Sequence, residues 1–225
     1  MSDINSDLQN ELDGIEHEIK IAKDRLPDYT KRQFINTQRE KSLLYCLGRA
    51  AELAEGCILC ARTKLLAPQY LLTRGLFESL IWVCWITKSD ENAQAFNDAT
   101  KNELKRLARK ELNKGYGRVI NTTTHKDVTE ELLNSDWSKD ILSRLKIEDA
   151  ATDAGLEKLY TEMYGFMSIP AHGIMLDTNS SLEEDMTAIL AVANVLMESI
   201  NLVAKNWVDN RNQTPIQDIY SILQI

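Results

Sequence analysis

The sequence contains no stretch in which apolar and polar residues alternate, no internal repeat and no low-complexity tract. A half-buried strand needs that alternation, so its absence leaves an all-α chain as the expected class. Also missing are a G-x-x-x-x-G-K-S/T loop, a G-x-G-x-x-G fingerprint, an H-E-x-x-H pair and a G-x-S-x-G elbow. Nucleotide-binding, zinc-protease and hydrolase chemistry are disfavoured accordingly, and no metal or cofactor is expected. Cysteine is scarce, with four residues, and the start MSDINSDLQNELDG is acidic and polar rather than a signal peptide. That combination reads as a cytoplasmic chain with reduced thiols. No run approaches the roughly 20 uncharged apolar residues that span a bilayer. Arg74 and Glu78 interrupt the greasiest stretch and the run from Met186 to Met197 is short, so a soluble protein with no membrane partner is expected. Basic excess is lacking too. A net charge of −8 speaks against a surface that embraces nucleic acid everywhere, while leaving room for a local basic patch.

What the chain does have is helical period. The centre is Ala67 to Lys88, apolar on every side except at Arg74 and Glu78, which suits the middle of a helical bundle. Pro68 fits a first helical turn, where a missing N–H costs nothing. Arg74 and Glu78 are four apart and share a face with Tyr70, Phe77, Ile81 and Trp85, so they are expected to pair.

Before this centre, the spacing of Leu8, Leu12, Ile15, Ile19 and Ala22 predicts an amphipathic helix over 1–28, stopped by Pro27. A second helix is expected from about Thr30 to Leu66, with Gly48, Ala50 and Gly56 admitting a close neighbour. After the centre, Ser89 or Asp90 caps a helix that ends at Gly115 and Gly117. The segment 115–152 is irregular and reads as an insertion or lid. A helix resumes near Leu156, Pro170 should break it, and Ser181 with Glu184 forms a capping box for a last long helix through Trp207. A short terminal helix follows Pro215. The result is a single all-helical domain, a bundle of four to five main helices with its core in 30–114 and 153–210.

Tyr160, Tyr164, Ser168 and His172 recur every fourth residue and would share a helix face with the proline permitting. If they meet Arg74 and Glu78, a guanidinium held by a carboxylate would join hydroxyls and an imidazole, with Tyr70 beside them. That kit suits gripping or cleaving a phosphodiester: His172 as general acid and base, Arg74 as phosphate anchor, Glu78 orienting Arg74. The same residues also make a sound structural network, with Arg74 bonded to Glu78 and a tyrosine, or a pocket for a small anion.

The segments RGLFESLIW (from Arg74) and YGFMSIPAHG (from Tyr164) resemble a family of prokaryotic helical proteins grouped with the HEPN-like superfamily and with abortive-infection proteins. The resemblance runs in layout from about Lys41 to Trp207. It implies Arg74, Glu78, Tyr164, Ser168 and His172 as recurrent polar positions. For HEPN proteins proper it implies a metal-independent ribonuclease, usually dimeric, in toxin–antitoxin or antiviral systems. The chain departs from the superfamily's nuclease motif, an Arg followed by a polar residue with a His four to six residues beyond the Arg, because no arginine precedes His172 at that spacing. A near-match, RVINTTTH from Arg118 to His125, falls in a turn-like tract.

From Lys101 to Arg118 seven basic residues face only Glu103 and Glu111, a local charge of +5 that leaves −13 for the remainder. Lys105, Arg106, Arg109 and Lys110 are the candidate contacts for RNA or an acidic protein partner. The alternative is a solvated helix, or one neutralised by the acidic N-terminal helix of its own or a neighbouring subunit in a homo-oligomer. Cys57 and Cys60 form a lone C-x-x-C without cationic or histidine support and read as core.

Overall fold

The acidic first half of the N-terminal segment and its four-residue apolar spacing produce α1, Ser2–Lys31. In this computed structural model, which describes residues 2–31, 37–135, 145–165, 167, 181–210 and 213–223, the helix runs on past Pro27. A proline deletes one backbone donor, about 3 kcal/mol in a helix interior, and the residues beyond it keep theirs. The expected stop is therefore at most a weak point. Leu12, Ile15, Ile19 and Ala22 are buried as the spacing requires.

Helix α2, Gln38–Arg62, starts later than expected because a capping box fixes its end. Thr37 Oγ1 accepts from Glu40 N at 3.2 Å, and Glu40 Oε2 accepts from Thr37 N at 3.3 Å. Helix α3, Leu66–Lys88, is the expected central helix, with Leu76, Phe77, Leu80, Ile81 and Ile86 out of reach of solvent. Ser89 Oγ accepts from Asn92 N at 3.0 Å at the start of α4, Asp90–Asn113. Gly115 follows with φ of +71°, the left-handed geometry that glycine supplies after a helix.

Further on are α5 (Thr129–Asn134), α6 (Ile147–Ala154) and α7 (Glu157–Leu159), which passes into a π-helical turn, Tyr160–Tyr164. Helix α8 is Leu182–Asn210 and α9 is Ile216–Leu223. The Ser181–Glu184 box forms as expected, with Glu184 Oε2 accepting from Ser181 N at 2.6 Å and Ser181 Oγ from Glu184 N at 3.2 Å. The class is all-α, with bundle-like packing.

The chain divides into two compact units, residues 1–93 with 147–225, and residues 94–146. In the first, α1, α2, α3 and α8 form the bundle. Its directions follow from paired residues. Glu11 with Asn194 and Glu18 with Asn201 run α1 and α8 the same way, whereas Glu16 with Arg62 and Lys23 with Glu55 oppose α1 and α2. Gly56 against Leu72 and Gly75 against Leu53 make α2 and α3 a hairpin. Three helices thus point one way and α2 the other. Gly48, expected at a close approach, has open space beside it.

The stretch 147–152, assigned from sequence to an insertion, belongs to this first unit. Helix α6 turns the small residues Ala150, Ala151 and Ala154 onto α3, and three alanines carry too little apolar signal to reveal that face in a sequence. Helix α8 over Leu182–Asp209 is long and apolar enough to cross a membrane, which the short run read from sequence did not anticipate; 56% of its most apolar window is buried among the other helices.

The second unit holds most of α4, then α5 and the loop between them. There the segment from Arg118 to His125 is a turn, not a helix. Asn121 Oδ1 accepts from the amides of Thr123 and Thr124, both at 2.9 Å, and His125 N donates to Asn121 O at 2.8 Å with a φ of +57°.

Candidate functional site

Helix α3 turns Phe77, Leu80 and Ile81 into the core, which leaves Arg74 and Glu78 together at the margin of the first unit. Arg74 Nε lies 3.2 Å from Glu78 Oε1, the pairing expected from i, i+4 spacing. Both side chains remain part-exposed, at 22% and 28%. The pair expected to be buried therefore keeps about a quarter of its surface in water and costs less to hold than a fully desolvated one.

The π-helical turn supplies the other wall. Tyr160 and Tyr164 stack with ring centroids 4.6 Å apart and planes at 24°. Arg74 lays its guanidinium over the Tyr164 ring, 4.4 Å from the centroid, and donates from Nη2 to the Tyr164 hydroxyl. One edge of the cation is thus fixed by a carboxylate, another by a phenol, and one face by an aromatic ring. Burial, then the neighbouring Tyr164 and Glu148, push the Tyr160 hydroxyl above its ordinary pKa, so it stays protonated near neutrality. The described part of the cluster is thus one guanidinium held between a carboxylate, a phenol and an aromatic face.

His172, expected from sequence to transfer protons, lies with Ser168 and Pro170 outside the described residues. Tyr70 is buried on α3, and its hydroxyl pKa is raised first by burial and then by Asp185 of α8. Lys105, Arg106, Arg109 and Lys110 lie on α4 in the second unit. Arg106 is already forked onto Glu103, at 2.9 Å through Nε and 2.5 Å through Nη2, and Lys101 is 3.7 Å from Asp98. Part of the +5 is balanced along the helix itself.

All four cysteines are buried. Desolvation pushes Cys46, Cys57 and Cys84 up to about 12, and Cys57 Sγ is 3.5 Å from Thr73 Oγ1. The C-x-x-C is core. Among the described residues no group of three or more His, Cys, Asp or Glu is placed to hold a metal ion.

A second polar centre escaped the sequence. Asp153, at the end of α6, accepts from Trp85 Nε1 at 2.7 Å and from Asn92 Nδ2 at 3.1 Å, and pairs with Lys88 Nζ at 2.7 Å. The Lys88 hydrogen bond, followed by those from Asn92 and Trp85, holds its carboxyl below the usual range. Beside it opens a cleft of about 300 Å³ floored by Cys84 and Val203 and edged by Lys88, Asp153, Gln213 and Thr214. Its parts come from four separated segments, and a hydrogen-bonding residue signals no distant partner in sequence.

Comparison with curated proteins and with solved structures finds no match to the chain. A family model does match, over residues 40–189, from the capping glutamate of α2 into α8. That span takes in Arg74, Glu78, Asp153 and Tyr164 and exceeds half of the chain, so the protein belongs to DUF5677, a family of unknown function.

Proposed function

We propose that this chain is a HEPN-like helical protein of a prokaryotic defence or toxin–antitoxin system, acting in the cytoplasm on RNA, with Arg74 as its phosphate anchor. The observation that supports this reading is the state of the guanidinium. It is part-exposed, oriented by Glu78 and Tyr164, and backed by stacked aromatic rings that also suit a nucleobase. A cation held in this way loses little entropy on meeting a phosphate oxygen. His172, four positions on from Ser168 and eight from Tyr164, is the residue assigned to acid–base work at the scissile bond. The reaction would be metal-independent phosphodiester cleavage.

The test is degradation of varied RNAs and tRNAs by the wild type and by His172→Ala, with a melting curve for each. Cleavage by the wild type that disappears in a normally folded His172→Ala supports the reading. Absence of wild-type cleavage across all substrates removes it.

A second, non-catalytic reading rests on one feature: the partners of Arg74 are themselves protein groups, on α3 and on the π turn. The cluster is then a clip between these elements, or a sensor pocket for a small anion. It predicts no RNA cleavage and a melting temperature that responds to Arg74→Ala and to added phosphate.

A further inference from the structure

The cleft beside Asp153 is built entirely from the first unit and includes no residue of the arginine cluster. At about 300 Å³ it lies at the lower end of the sizes that hold ligands, so its occupant must be small. Cys84 of α3, Val203 of α8 and Ile216 of α9 line it with apolar surface. A short aliphatic group fits against such a floor.

At the rim, hydrogen-bonding capacity of both kinds is left over. Lys88 Nζ gives one N–H to Asp153 O and one to Asp153 Oδ1, the latter at 2.7 Å, and keeps a third. Thr214 is only 8% exposed. Its Oγ1 accepts from Asn206 Nδ2 at 3.0 Å, while among the described residues its own proton has no acceptor. The Asp153 carboxylate accepts from Trp85, Asn92 and Lys88, which leaves room on Oδ1 for one more donor. Gln213 donates through Nε2 to the carbonyls of Lys88, at 2.9 Å, and Thr87, at 3.4 Å, so its Oε1 remains an acceptor. Two donors and two acceptors thus stand over an apolar floor, and the charges of Lys88 and Asp153 cancel. A ligand of one net charge would meet a repelling partner at this rim. One that carries both charges on neighbouring atoms would meet an attracting partner for each.

We propose that the cleft binds a free amino acid with an aliphatic side chain. Its carboxylate lies against Lys88 and Thr214, its ammonium against Asp153 and Gln213, and its side chain on Cys84, Val203 and Ile216. A peptide does not qualify, because a peptide bond removes one of the two adjacent charges. The Lys88–Asp153 pair is part-exposed, so each charged contact is modest, and a Kd on the order of 1 mM is expected. The inference does not depend on whether the arginine cluster cleaves RNA.

The experiment is calorimetric titration of the purified full chain with L-leucine, 3-methylbutylamine, 4-methylpentanoate and glycine, with melting curves in parallel. L-leucine should bind saturably at one site and raise the melting temperature with concentration. The amine and the acid each lack one charge and should bind about tenfold more weakly or worse. Glycine should fall further, since each lost methylene costs about fourfold. Lys88→Gln removes the ammonium and Thr214→Val the hydroxyl at constant shape; with helical circular dichroism intact, each should weaken L-leucine binding about tenfold. The ligand series needs no variant, so the proposal stays testable should either substitution fail to fold. No saturable binding of L-leucine up to tens of millimolar, equal binding of the amine or the acid, or unchanged affinity in both variants would each overturn it.

Discussion

Trp85 donates its indole N–H to the Asp153 carboxylate at 2.7 Å, tying a core tryptophan of α3 to the end of α6. Lys88 and Asn92 join the same carboxylate, so one acid secures three neighbours. Its side chain is half exposed, so the ion pair alone contributes little. The buried indole N–H matters more, because losing its acceptor costs about 1–3 kcal/mol. Asp153→Ala should therefore lower the melting temperature by about 2–4 °C or somewhat more. The pH sign follows from a carboxyl held below its unfolded value. Its contribution is present above that value, about 3.9, and fades as pH falls through the folded one. The gap between wild type and Asp153→Ala, followed by thermal melts, should be constant near neutrality and close in strong acid. An unchanged melting temperature at neutral pH would remove Asp153 from its structural role.

Arg74 makes a different prediction because its pair is part-exposed. Arg74→Ala should cost about 1 kcal/mol, the range of a discounted ion pair plus one hydrogen bond, rather than the 3–5 kcal/mol of a broken buried pair. Arg74→Lys keeps the charge but cannot fork between Glu78 and Tyr164. If the cluster anchors phosphate, both variants should weaken RNA binding, read by fluorescence anisotropy, by more than they lower stability. Equal RNA binding by all three proteins would leave only the clip.

Which parts of this protein were legible in its sequence follows from the range of each signal. The Arg74–Glu78 contact is set by helix geometry over four residues, and the capping box at Ser181 by three, so both were readable. The long helices showed in their apolar period. Tyr164 meets Arg74 across ninety positions, and only the paired motifs suggested it. The Asp153 centre left no such trace. Leu104 and Leu107 look like an ordinary buried stripe, yet they are exposed, because period reports which residues share a face and not what covers it. Helix α1 passes Pro27 because its packing on α2 and α8 outweighs one lost hydrogen bond.

Two glycines of α2 give opposite expectations from one substitution. At Gly48 an added Cβ meets nothing within 4 Å, so Gly48→Ala should gain up to about 1 kcal/mol from helix propensity. At Gly56 it would lie 2.9 Å from Leu72 Cδ1, at the α2–α3 contact. Gly56→Ala must push that leucine aside and should gain nothing or lose stability. Chemical denaturation of both variants checks the pair; an equal gain at both sites would mean that α2 and α3 are not in close contact there.

The cysteines supply a chemical probe of the bundle. Only the thiolate attacks a disulfide reagent, and desolvation raises Cys46, Cys57 and Cys84 to about 12 while also pushing Cys60 up. All four thiols are buried in the first unit, on α2 and α3. The native protein should thus react with a thiol-specific disulfide reagent at neutral pH far more slowly than the denatured chain, in which all four become available. Because the four sulfurs lie along the α2–α3 hairpin, a shared slow rate would report opening of that hairpin as one unit. Fast labelling of Cys57 and Cys60 in the native state, resolved by mass spectrometry, would instead point to an accessible C-x-x-C and reopen a redox reading that burial now disfavours.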